Sequence, residues 1–134
     1  MSKRFLLLLV WLLLAPTVEV QADSNAGIIE KAYRQHRGNL QVVGDGTVIK
    51  LLPDDNQGDR HQRFILRLPS GFTVLVAHNI DLAAKVSGIK VGDRIEFAGE
   101  YEWSEKGGTV HWTHRDPARR HPDGWLRFAG RIYQ

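Results

Sequence analysis

The sequence predicts a mainly β protein: one small five-stranded Greek-key barrel, with a short N-terminal helix before it and a C-terminal hairpin after it. Two observations carry this reading. From Leu40 onward apolar and polar residues alternate, which is the period of strands with one buried face. Short clusters rich in Gly, Pro, Asp and Ser interrupt the alternation, as turns do. At 134 residues the chain suits one domain and not two.

Residues 1–22 read as a secretory signal peptide. Lys3 and Arg4 form a short basic start, "FLLLLVWLLLA" (5–15) is an unbroken apolar run, and small side chains precede an expected cleavage after Ala22. The run is too short to span a bilayer, which takes about 20 apolar residues. The competing reading is an uncleaved N-terminal anchor. The expected location is periplasmic or secreted, with no membrane span after cleavage. The chain has no cysteine, so no disulfide and no thiol-linked lipid is expected. Loss of Lys3, Arg4 and Glu19 lowers the formal net charge from +3 to +2. A strong non-specific nucleic-acid binder carries a clear basic excess on one face, so nucleic acid is a lesser candidate partner. A monomer is expected.

Residues 23–39 form an N-terminal helical segment. Ile28, Ile29, Ala32, Tyr33 and His36 fall at helical spacing, Ser24 or Asn25 can cap the start and Gly38 can end it. Residues 40–134 form the β-domain. "TVIKLL" (47–52) and "FTVLVAH" (72–78) are more apolar throughout and read as central strands. "HQRFILRL" (61–68), "RIEFAGEYEW" (94–103) and "TVHWT" (109–113) alternate and read as half-buried strands. "GDG" (44–46) suggests a bulge or bend, where glycine permits unusual dihedrals. "PDDNQGD" (53–59), "PSG" (69–71) and "SEKGG" (104–108) read as turns, and 79–93 has room for a helical turn or two. "GWLRFAGRIY" (124–133) adds two short strands about Ala129 and Gly130. Trp103 and Trp112 are expected in the core. The order is strand, strand, strand, short helix, strand, strand, which is that of an oligonucleotide/oligosaccharide-binding (OB) barrel.

Several stretches together are distinctive: "LPDDNQGDRHQRF", "VAHNIDLA", "GDRIEFAGEYEW", "GGTVHWTHRDP" and "RHPDGWL". They resemble a family of small exported bacterial proteins catalogued as domain of unknown function 3465. The resemblance covers residues 40–134. It implies a signal peptide and one compact β-domain, and it implies no activity, substrate or catalytic residue.

Chemistry-bearing residues concentrate in two places. The polar side of the second strand carries His61, Arg63 and Arg67, preceded by Arg60. Cationic side chains there can hold carboxylate, phosphate or sulfate groups, and the second and third strands form much of an OB barrel's binding face. The plainer reading is a solvated face paired with Glu96 or Glu102. "HWTHRDPARRH" (111–121) holds three histidines, Asp116 and three arginines. His111 and His114 would face opposite ways if the strand continued. No HExxH or paired-cysteine spacing supports a metal site. No GxSxG, P-loop or Rossmann glycine pattern occurs either.

The leading expectation is an exported binding module for an anionic or polar small molecule or oligomer. It uses Arg60, His61, Arg63, Arg67, His78, His111 and Arg120, with no cofactor. The alternative is a histidine-dependent phosphodiester hydrolase using His114, Asp116 and His121, and a divalent metal enters only there. A third option is an envelope protein that binds a protein partner through an exposed sheet edge.

Overall fold

The computed structural model describes residues 25–134. The expected signal peptide and the Ser24 cap lie outside the described residues. One helix, α1 (Asn25–Arg34), precedes seven strands. These are β1 (Leu40–Asp55), β2 (His61–Arg67), β3 (Thr73–Asn79), β4 (Arg94–Glu102), β5 (Thr109–His111), β6 (Trp125–Phe128) and β7 (Arg131–Tyr133).

Five strands close a ring in the order β1-β2-β3-β5-β4 and back to β1. The contact between β3 and β5 is parallel and the other four are antiparallel. This is the five-stranded unit expected from the sequence. The C-terminal hairpin is also present: β6 pairs with the middle of β4, and β7 pairs with β6. Among the described residues no helix is long and apolar enough to cross a membrane.

The long β1 lets the ring close. Its first half, from Leu40 to Thr47, pairs with β4, and its second half, from Thr47 to Asp55, pairs with β2. Thr47 is the changeover, opposite Arg94 on one side and Arg67 on the other. No bulge falls at 44–46, where the β1–β4 ladder keeps an unbroken register, and the glycines there serve close packing instead of dihedral freedom. A Cβ on Gly44 would come 2.9 Å from the Phe97 ring, and one on Gly46 would come 2.8 Å from the Arg67 carbonyl oxygen. Glycine is needed there so that neighbouring strands can approach. The register shifts of the β1–β2 ladder lie further on, between Val48 and Lys50 and between Leu52 and Asp55.

Strand alternation sends one set of side chains inward. Val48, Phe64, Leu66, Val76, Ile95, Phe97, Tyr101, Val110 and Leu126 are all fully buried, and α1 adds Ile29 and Ala32. Full burial of such a side chain contributes about 1.5–3 kcal/mol. The Tyr101 hydroxyl donates to the Gly107 carbonyl at 3.0 Å, so its burial leaves no unpaired polar atom.

Two sequence expectations are corrected here. The segment joining β3 to β4 is an irregular loop and not a helix. Apart from one turn closed by the Ala83 N–H on the Asn79 carbonyl at 3.2 Å, its backbone is held by buried polar side chains. Gln62 exchanges two hydrogen bonds with Val86, at 3.0 and 2.8 Å. The Asn79 side chain accepts from the N–H groups of Asp81 and Leu82. Trp103 and Trp112 are half-buried and lie outside the core. β5 ends at His111, and Trp112 then adopts a φ of 52°. This turns its ring away from the interior.

The same reversal starts the loop that returns at Gly124. The Gly124 N–H donates to the His114 carbonyl at 2.9 Å. A Cβ on Gly124 would lie 1.8 Å from the Trp112 carbonyl oxygen and 2.7 Å from that of Ala98. Gly124→Ala is therefore expected to destabilise the fold by about 3 kcal/mol, the upper range for overpacking, as measured by urea denaturation. A loss within experimental error would contradict this packing.

Candidate functional site

The outward side chains of β2, β3, β4 and β5 share one face of the ring. Strand register brings them together. Arg63 stands opposite Ala77, Leu75 beside Thr109, and Glu100 opposite His111. The result is a cavity of about 310 Å³ with a floor of Leu75, Ala77 and Thr109. Its walls are Asp55, His61, Arg63, Glu102 and His111. A second hollow of about 220 Å³ adjoins it, lined by His61, His111, Trp112, His114 and Asp59, among others. His61 and His111 belong to both, so the two form one furrow.

The end of β5 at His111 decides which histidines meet. Had the strand continued, His111 and His114 would face opposite ways. With the chain reversed at Trp112, both line the same hollow. His61 donates from Nδ1 to the Asp59 carbonyl at 2.8 Å, and His114 donates from Nδ1 to the Arg115 carbonyl at 2.7 Å. In a neutral imidazole this leaves Nε2 as the lone-pair nitrogen. His111 Nε2 is buried with no hydrogen-bond partner, and no other buried side-chain polar atom among the described residues is left so. Burial holds the His111 pKa below its usual value, against the pull of Glu100.

His121 takes a different place. Its ring stacks on Trp112 with centroids 4.0 Å apart and planes at 13°. Its Nδ1 donates to the Pro122 carbonyl at 2.9 Å, and its Nε2 is bonded to Glu100. Both nitrogens therefore donate, which is the arrangement of an imidazolium. Burial opposes that charge, but the Glu100 and Pro122 hydrogen bonds outweigh it and raise the His121 pKa. Burial likewise opposes ionisation of Glu100, and the His121 bond with its neighbours overcomes it, so the carboxyl sits below its usual range. Burial and the adjacent Glu100 push Glu102 the other way, above its usual range.

The other expected site residues are dispersed. His78 is fully buried beneath the furrow, with Nε2 donating to Ala84 O at 2.9 Å and Nδ1 accepting from Thr113 Oγ1 at 2.8 Å. Burial lowers its pKa to about 4. Its role is to hold the β3–β4 loop. Arg60 is bound to Asp81 through its backbone N–H and its Nε, both at 2.8 Å. The Arg63 guanidinium lines the furrow but donates twice to the Pro53 carbonyl. Arg67 stands at the far end of β2, opposite Thr73. Arg120 is exposed on the 115–123 loop. Asp116 accepts the backbone N–H groups of Ala118, Arg120 and His121 at 2.9–3.0 Å. Those bonds hold its pKa below the usual carboxylate range. It organises the loop and does not meet His114.

Of the residues singled out in the sequence, the structure gathers His61, Arg63 and His111 on one furrow, and it sets beside them Asp55 and Glu100, which the sequence did not single out. A usable signal existed. Glu100 and Glu102 share the polar side of one strand, and the short turn at 104–108 folds His111 back against them.

The family described as "Protein of unknown function (DUF3465)" matches residues 9–134. No curated protein matches the chain.

Buried neutral histidine gives stability a definite pH dependence. The folded pKa of His78 lies below its unfolded value of 6.5, so the unfolded state takes the proton more readily. Stability is then full above pH 6.5 and falls as the pH drops towards 4, by about 3 kcal/mol at the limit. His121, with a raised pKa, contributes fully below its unfolded value and loses that contribution only as pH rises through its folded value. Glu100, with a lowered pKa, loses its contribution only as pH falls below its unfolded value of 4.5. Between these limits His78→Gln is expected to flatten the slope of stability against pH. An unchanged slope would assign the titration to another group.

Proposed function

The chain thus belongs to the DUF3465 family of proteins of unknown function, and we propose that it is an exported binding module that takes a small polar ligand in the furrow over β2, β3, β4 and β5. The observation that carries the reading is the furrow's make-up. An apolar floor of Leu75 and Ala77 lies under polar walls whose groups are only partly engaged. That combination is typical of small-molecule sites, and about 310 Å³ lies at the lower end of their size range.

The charges favour the polar half of the earlier expectation over the anionic half. With histidines neutral, Asp55 and Glu102 outweigh Arg63 in the wall. Arg60 is occupied by Asp81, and Arg63 turns Nε and one Nη2 hydrogen to the Pro53 carbonyl. A ligand bearing donor or cationic groups is the better match.

The hydrolase alternative has less behind it. Such a reaction needs a base and an oxyanion-stabilising donor at one point. His114, Asp116 and His121 are each engaged with a different partner: the Arg115 carbonyl, three backbone N–H groups and Glu100.

The test is a screen of polar small molecules by backbone amide NMR. Binders are expected to shift amides of Arg63, Leu75, Ala77 and Thr109. Ala77→Trp, which fills the floor from an outward position, is expected to abolish those shifts while leaving the fold intact. Binders whose shifts map elsewhere, or survive Ala77→Trp, would contradict the reading.

A further inference from the structure

We propose that the β4–β5 end of the furrow is a divalent transition-metal site, with Glu100, Glu102 and His111 as its protein ligands. The inference goes beyond the binding reading and depends on it only for what fills the remaining coordination position.

Register builds the tripod. Glu100 is the direct cross-strand partner of His111, and Glu102 is two residues along the same face. One ligand atom from each residue lies within 4.8 Å of the other two. His111 Nε2 and Glu102 Oε1 are 4.0 Å apart. Ligand atoms on a tetrahedral ion at about 2.1 Å stand roughly 3.4 Å from one another. The three groups must therefore draw in by about 1.4 Å at most, which side-chain rotations of two glutamates supply.

Two further observations point to an ion. His111 Nε2 is buried and unpartnered, although a buried polar atom left unpaired costs about 1–3 kcal/mol. A metal ion uses that lone pair without requiring a donor. Glu100 is only 7% exposed and lies beside a second carboxylate. His121 engages Glu100 through Oε2, which leaves Oε1 to meet an ion, and a dication relieves the repulsion between the two carboxylates that remains. The imidazole selects the class. Calcium and magnesium take six or more oxygen ligands, whereas one imidazole and two carboxylates suit zinc and its neighbours.

Three protein ligands leave a position open towards the furrow, as in catalytic and ligand-binding zinc centres. A polar ligand in the furrow would fill it. His61, which lines the same furrow, offers a further nitrogen on that side.

The experiment is calorimetric titration of the purified protein with zinc chloride alone, in a non-chelating buffer at pH 7.5. One zinc per chain is expected. His111→Ala, at a half-exposed outward position, is expected to weaken binding at least tenfold, and Glu100→Gln to do likewise. His36→Ala, whose ring stacks on Trp103 and is not among the three ligands, should leave binding unchanged. Circular dichroism of each variant separates lost binding from lost fold. No zinc binding by the wild type, or binding equal in wild type and folded His111→Ala, would overturn the proposal. Zinc binding that His36→Ala removes would overturn it too, by assigning the ion to that surface histidine. If zinc fails but polar molecules still bind in an Ala77→Trp-sensitive way, the metal site is wrong and the binding module stands. If zinc binds as expected while the small-molecule screen is empty, the metal site stands and the polar-ligand reading fails.

Discussion

The three residues of β5 carry the constraint on which the rest of the structure depends. Thr109, Val110 and His111 lie between β3 and β4 and close the ring through one parallel and one antiparallel contact. Val110 faces inward and is fully buried. That fixes the parity of its neighbours, so Thr109 and His111 must face the furrow. A one-residue slip would bury His111 and expose Val110. The hydrophobic demand for Val110 thus sets the position of the imidazole opposite Glu100.

Buried polar side chains do for the loops what hydrophobic packing does for the strands. Gln62, His78 and Asn79 each satisfy backbone groups that have no strand partner. Asp116 does the same for the 115–123 loop. These polar groups are fully bonded, so their burial is compatible with stability. The polar groups that line the furrow differ. His111 Nε2 has no partner, and His61 and His114 turn their lone-pair nitrogens away from the backbone carbonyls that bind Nδ1. Histidines that bind metals or polar ligands are commonly oriented in this way.

Much of the fold was legible in the sequence because period-two alternation is local. The strands at 61–68 and 94–103, the turns at 69–71 and 104–108, and the terminal hairpin all follow from neighbouring residues. The β3–β4 loop was not legible, because nothing within 79–93 shows that Gln62 and His78 will bind its backbone. Trp112 was misread because a single left-handed residue after His111 reverses a strand that its composition would have continued. At the site, His61 and His111 could be read from their polar faces. The same alternation marked Glu100 and Glu102 as one polar face, but their place against His111 follows only from the register across the 104–108 turn. His78 was assigned to the ligand face, since an apolar strand does not reveal which of its polar members points inward.

The account rests on these histidines being held in set protonation states and orientations, as a built site requires. Imidazole nitrogen NMR tests this most directly. Near neutral pH, His61 and His114 should carry the proton on Nδ1, and His78 should carry it on Nε2. His121 should hold both protons to a higher pH than His78. Four rings showing the same averaged tautomer mixture, or His78 and His121 titrating together, would contradict the account and describe a solvated polar face.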